Sequence, residues 1–266
     1  LSRTWPAYTR ARRRNRLAWA ILAAASAALA AGLGWFFTAG QFEAAGPWNT
    51  GPSAAPVFNP DWMKPLPGAA RVPARSAVAA LEQLEVKGRG TANDYDRAAF
   101  GQAWLDVDRN GCDTRNDVLR RDLSAVEFSA GSPCKVTAGH LQEPYTGVEM
   151  AFRRGPKTSA ALQIDHVVAL ADAWQKGAKQ LSAGQRQLLA NDPLNLIAAD
   201  GPQNVKKGAG DAATWLPPNK NFRCHYVARQ ISVKAAYRLW VTQAEKDAMK
   251  RVLGSCPDQQ TVNQPR

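Results

Sequence analysis

The sequence predicts an α+β fold: a mainly helical domain with a small antiparallel sheet, set behind an N-terminal transmembrane helix. Three observations carry that expectation. Helical and alternating apolar patterns interleave between residues 76 and 256. An uncharged run of 21 residues occupies positions 17–37, long enough to cross a bilayer as a helix. Four widely spaced cysteines lie beyond that run.

The elements follow in chain order. Residues 1–16 hold six arginines (Arg3, Arg10, Arg12, Arg13, Arg14 and Arg16) and no acid. Positive charge resists translocation, so this tail should stay cytoplasmic and the rest should be exported. Residues 17–37 read LAWAILAAASAALAAGLGWFF, apolar on every face and edged by Trp35, Phe36 and Phe37. They form either a membrane anchor or a long signal segment cut in an Ala-rich stretch. Residues 38–75, with seven prolines and four glycines, read as a linker without its own core. The folded domain is expected over 76–256, and 257–266 as a loose tail.

Within the domain, Val78, Leu81 and Leu84 share one helical face. Tyr95–Leu105 reads as helical, with Phe100 and Trp104 four apart, and Asn116–Leu123 as a third short helix. Glu127–Phe128, Lys135–Leu141 and Gly147–Arg153 read as strands, with a turn at Pro144-Tyr-Thr-Gly. Ala161–Ile164 is a strand ending at Asp165-His166, and Val168–Gln175 turns helical. Ser182 is placed to cap a helix over Ser182–Ala190. A short apolar strand at Leu194–Ala198 precedes helices at Asn219–Leu239 and Thr242–Leu253. Thr242 and Glu245 have the spacing of a capping box.

Composition bounds the function. The chain holds 34 Lys+Arg against 22 Asp+Glu, a net +12. Half of that excess sits on the arginine tail. Residues 76–256 carry 24 basic and 19 acidic side chains, an excess of +5 that is modest for a nucleic-acid binder. With 45% hydrophobic residues, a wholly disordered chain is excluded. No repeat of 20–50 residues is visible, which argues against a solenoid. The cysteines, at 112, 134, 224 and 256, form no CxxC pair, so a cysteine zinc site is not expected. In an exported chain they read as two disulfides of three possible pairings. The sequential pairing, Cys112 with Cys134 and Cys224 with Cys256, closes the shortest loops.

Three histidines narrow the search for chemistry: His140, His166 and His225. His166 stands apart because Asp165 precedes it at a strand end. Asn195 follows within Pro193-Leu-Asn-Leu-Ile, and Asn204 stands three residues before Lys207 in Gly201-Pro-Gln-Asn-Val-Lys-Lys-Gly. This ordered set resembles the HNH nucleases, whose metal site is built on a ββα finger. More closely, residues 95–256 are similar to exported actinobacterial HNH endonuclease-like proteins related to the C-terminal nuclease domain of GmrSD-type restriction enzymes. The segments NGCDTRNDVL (110–119), PYTG (144–147), DHVVALADAW (165–174), NDPLNLIAADGPQNVKKG (191–208) and DAATWLPP (211–218) carry the resemblance.

The resemblance implies an endonuclease that hydrolyses phosphodiester bonds of DNA, with RNA a further candidate substrate. His166 would be the general base. Asn195 would hold its unused ring nitrogen, and Lys207 would meet a phosphate oxygen. Asp165 and Asn204 would hold a divalent metal, Mg²⁺ or Mn²⁺ by the hardness of an oxygen donor set. Arg115 and Lys206 would bind substrate. The middle and last motif positions are both Asn here, which departs from the name of the motif.

Other readings stay open beside it. The chain could be a non-catalytic surface module binding nucleic acid or acidic wall polymer. Asp106, Asp108, Asn110, Gly111 and Asp117 follow the order of a calcium loop, against which stand Arg109, Arg115 and a disulfide at Cys112. Trp174, Trp215 and Trp240 lie in apolar contexts and read as core. No base-reading helix is evident, so little sequence preference is expected. The expected partners are nucleic acid and, through residues 17–37, a membrane, with no small-molecule cofactor. The domain would lie outside the cytoplasm, anchored or released.

Overall fold

The computed structural model describes residues 75–156 and 158–262. The tail, the apolar run and the linker expected over residues 1–75 therefore lie outside the described residues, save Arg75. Among the described residues no helix is long and apolar enough to cross a membrane. The fold is α+β: helices α1 (Ala77–Glu82), α2 (Thr114–Asp122), α3 (Leu170–Gln175), α4 (Ala183–Asn191), α5 (Gly201–Lys207), α6 (Arg223–Ala236) and α7 (Gln243–Leu253) surround five short strands.

Those strands form two sheets where one was expected. β1 (Leu123–Phe128), β2 (Val136–Gln142) and β3 (Glu149–Arg153) make an antiparallel meander. β4 (Leu162–His166) pairs with β5 (Leu196–Asp200), antiparallel, from Leu162 opposite Asp200 to His166 opposite Leu196. The chain leaves β5 directly into α5. Asp200 caps that helix, its side chain accepting from the Gln203 amide at 2.8 Å, and Pro202 suits its first turn. Gly201 has no substitute there, because a Cβ would come within 2.2 Å of the Ala160 carbonyl oxygen. The result is an antiparallel pair followed at once by a helix.

Three apolar clusters hold the elements. Leu81, Tyr226, Ile231, Val241 and Met249 join α1, α6 and α7. Phe100, Leu170, Trp174, Leu189 and Val233 join α3, α4 and α6. Val118, Leu119, Phe152, Leu162 and Leu196 seat α2 against both sheets. The disulfides pair sequentially, Cys112 with Cys134 and Cys224 with Cys256. Residues 259–262 run beside the start of α1: the Ala77 amide donates to Gln259 O at 2.8 Å, and the Val262 amide to Ser232 Oγ at 2.9 Å.

A cluster of charges lies inside the helical part. Lys176 and Lys234 are wholly buried. Lys176 Nζ stands 2.7 Å from Asp172, 2.7 Å from Asp211 and 2.6 Å from Glu245. Lys234 Nζ reaches Glu245 at 3.1 Å, and Arg89 reaches Asp211 at 2.6 Å and Asp172 at 3.2 Å. Three cations balance three carboxylates. Burial works against the charge on Lys176, but Asp172 and Glu245 outweigh it and raise the ammonium's pKa. Glu245 was expected to complete the capping box of α7. Its amide does donate to Thr242 Oγ1 at 3.2 Å, but its carboxylate turns inward to the lysines.

Candidate functional site

Asp165 and His166 end β4, and adjacent strand residues face opposite sides. Both nevertheless border one cavity of about 280 Å³, together with Asn204 of α5, Tyr95, Arg97 and Leu170. The β4–β5–α5 unit thus brings three of the expected site residues to one place.

Asp165 is buried and both its oxygens are engaged. Tyr145 donates its hydroxyl to Oδ2 at 2.5 Å, and Lys207 Nζ donates to Oδ1 at 3.0 Å and to His166 O at 2.8 Å. Burial, and then the nearby Asp165 carboxylate, push the Tyr145 phenol well above its usual pKa, so it remains a donor. Tyr145 is held in turn by Glu143, whose carboxylate accepts from the Tyr145 amide at 2.9 Å, the Thr146 amide at 2.6 Å and the Asp200 amide at 3.1 Å. One buried glutamate therefore fixes both the phenol beneath Asp165 and the start of α5.

His166 Nε2 lies 2.8 Å from the Ala190 carbonyl oxygen. A carbonyl only accepts, so Nε2 carries the proton and Nδ1 is the ring's acceptor. Ala190 is in the last turn of α4, where carbonyls lack helical partners. Burial pulls the imidazole down from about 6.5 to about 4. The Ala190 bond and Asp165 push the other way, and Arg97 and Lys207 add to the fall. The ring is neutral near pH 7.

Two expected roles change. Asn195 does not touch the histidine's unused nitrogen. Its Oδ1 accepts from the Val168 amide at 2.8 Å, its Nδ2 donates to Val168 O at 3.2 Å, and its backbone oxygen accepts from the Val167 amide at 2.8 Å. It locks the turn that follows His166. The loop bearing it is gripped by Arg121, donating to Pro193 O and Leu196 O, and by Arg229, donating to Leu194 O, Pro193 O and Leu196 O. Lys207 is buried against Asp165, where the ion pair satisfies its charge, so it does not present an ammonium to a ligand.

Of the expected substrate contacts, Lys206 is exposed on α5 and is not among the residues lining the cavity. Arg115 lies with its guanidinium 5.7 Å from the centre of the Trp104 ring. Sequence reasoning missed Arg97, which is exposed and borders the cavity beside His166. No motif marks it; the only local signal is Asp96, which caps the short 3-10 turn Arg97–Phe100. Tyr145 was within reach of sequence reasoning, since it stands in the PYTG segment.

Asp165 offers a carboxylate already neutralised by Lys207. Asn204 gives its amide hydrogen to Gln163 Oε1 at 2.8 Å, which leaves its carbonyl oxygen as a ligand. Among the described residues no three His, Cys, Asp or Glu side chains gather into a metal cluster. One carboxylate and one amide oxygen are hard donors of the kind that suit a divalent cation. The Asp106–Asp117 loop instead closes on itself, Asn110 Nδ2 donating to Asp108 at 3.0 Å and to Asp117 at 3.2 Å.

An α+β domain with an Asp-His pair at a strand end, sharing a cavity with an Asn on α5, defines a class that comparison makes specific. A family model described as the C-terminal domain of GmrSD restriction endonucleases matches residues 113–252, and the chain belongs to that family. This points to a nuclease-type hydrolase with nucleic acid as substrate. A protein of Arthroderma benhamiae described as an uncharacterized secreted protein is 35% identical over 195 residues, covering 72% of this chain and 91% of its own. Nothing in these matches ties the chain to actinobacteria. No solved structure matches.

Proposed function

We propose that the chain is an exported, metal-dependent endonuclease of the HNH type, cutting DNA, and RNA as a second substrate, with little sequence preference. The observation that carries this reading is the gathering of Asp165, His166 and Asn204 around one cavity, with Arg97 exposed at its edge. Export is supported by the secreted relative and by the two disulfides.

His166 is the general base. The Ala190 carbonyl fixes the Nε2–H tautomer, and Nδ1 takes the proton of the attacking water. Burial keeps the ring neutral until then. Asp165 and Asn204 would hold the cation, which when bound would supply charge neutralisation at the phosphate and at the leaving oxygen. Tyr145 and Lys207 fix the Asp165 carboxylate, so its geometry does not depend on the ion. Arg97 is placed to bind a non-bridging phosphate oxygen.

Full-length protein should nick supercoiled plasmid with Mg²⁺ or Mn²⁺, and EDTA should abolish the nicking. Salt-sensitive DNA binding without metal-dependent cleavage would instead mark a binding module. The pH dependence has a defined sign. Protonated His166 cannot act as a base, so kcat/KM should hold through pH 6.5 and fall only as pH drops towards about 4. An acid limb centred near 6.5, the value of an unburied imidazole, would show that burial does not set the pKa of the base.

A further inference from the structure

A second cavity, of about 270 Å³, lies against the first. The two share Arg97, His166 and Leu170. Their chemistry differs. The first holds Asp165 and Asn204, whereas the second is walled by Phe100, Trp104, Leu170 and Ala190 and is largely apolar. Its volume sits near the lower end of small-ligand pockets, roughly 300 Å³, a size for one flat ring system.

The apolar wall is built with care. The helix expected over Tyr95–Leu105 stops after one turn at Gly101, whose φ of 72° favours glycine, and Trp104 then takes a φ of 59°. A bulky residue rarely adopts that conformation, and where it does the surroundings must hold it. Asn191, wholly buried at the end of α4, does so: its Nδ2 donates to Gln102 O at 2.9 Å and its Oδ1 accepts from the Leu105 amide at 2.9 Å. Thr114 donates its hydroxyl to Leu105 O. Trp104 is half-buried, with the Arg115 guanidinium stacked over its ring. Arg97 lines this cavity beside the candidate base, while Arg115 lies over the Trp104 ring. These residues of the wall, 97–104, stand outside the matched family segment.

A nucleotide divides in the same way as the two cavities, into a charged phosphate and a base with apolar faces. We propose that the second cavity receives one nucleobase of the substrate, unstacked beside the scissile phosphate, and that the protein therefore prefers single-stranded or locally unpaired nucleic acid. This rests on the nuclease reading above. A base inside a duplex has to be unpaired and unstacked before it can enter, at a cost that a single strand does not meet. Trp104 supplies a sequence-tolerant stacking surface, and Arg97, at the border of both cavities, meets the phosphate that links them.

The test uses full-length protein with Mg²⁺ and compares kcat/KM on four substrates. These are a short single strand, its duplex, the same strand with abasic residues, and bis-nitrophenyl phosphate, a diester without bases. The single strand should be cut roughly tenfold faster than the duplex and the abasic strand. Equal rates on the three nucleic acids, with cleavage intact, would overturn the base pocket and leave the nuclease standing. No hydrolysis of any substrate, the aryl diester included, would overturn the nuclease reading and the inference with it. In Trp104→Leu the ratio of single-strand to abasic rates should fall towards one, and an unchanged ratio would remove Trp104 from the role. The wild-type comparison needs no variant to fold.

Discussion

Replacing His166 with alanine is expected to lower cleavage by ~10²–10⁴-fold, the range for loss of a positioned general base. The fold should survive. The ring makes one hydrogen bond, to the Ala190 carbonyl, and it borders two cavities from which water can replace that partner. The measurement is plasmid nicking by His166→Ala and wild type under identical Mg²⁺, with circular dichroism and the urea midpoint as controls for folding. A variant that cuts as fast as wild type would remove His166 from the chemistry. Asp165 would then be a carboxylate held by Tyr145 and Lys207 for structure alone.

The largest stability effect is expected at Lys176. In Lys176→Met the cation that touches Asp172, Asp211 and Glu245 at once is gone. Arg89 and Lys234 remain but cannot compensate all three carboxylates. Breaking a buried ion network by removing one partner costs ~3–5 kcal/mol, a large share of the ~5–15 kcal/mol that a domain commands. Urea unfolding should give a midpoint lowered accordingly at unchanged slope. Acidification should shrink the deficit, because protonated carboxyls no longer need a cation. A loss under ~1 kcal/mol would mean that the carboxylates relax to other partners.

The parts of this architecture legible in the sequence are those set by near neighbours. Ser182 caps α4, in a full box with Gln185. The cysteine order matches the pairing found, and Asp165-His166 ends a strand as expected. What escaped reading depends on contacts across the chain. The Tyr95–Leu105 periodicity is real, but Gly101 and the Asn191 clamp some ninety residues away convert it to one turn and a loop. Glu245 has capping spacing yet is drawn into the ion cluster. Asn195 was assigned to the histidine ring, whereas that hydrogen bond goes to a helix-end carbonyl with no side-chain signature at all. The phosphate contact expected of Lys207 fails because sequence does not reveal that α5 folds back over Asp165.

The end of α4 has a mechanical consequence. Ala190 orients the imidazole through its carbonyl, and its neighbour Asn191 clamps the loop that carries Trp104. The imidazole and the aromatic wall therefore both lean on the end of α4. A shift in the final turn of α4 would reach the imidazole and the Trp104 loop at once. On the proposed reading, a substitution in that turn should alter the cleavage rate and the preference for unpaired strands together.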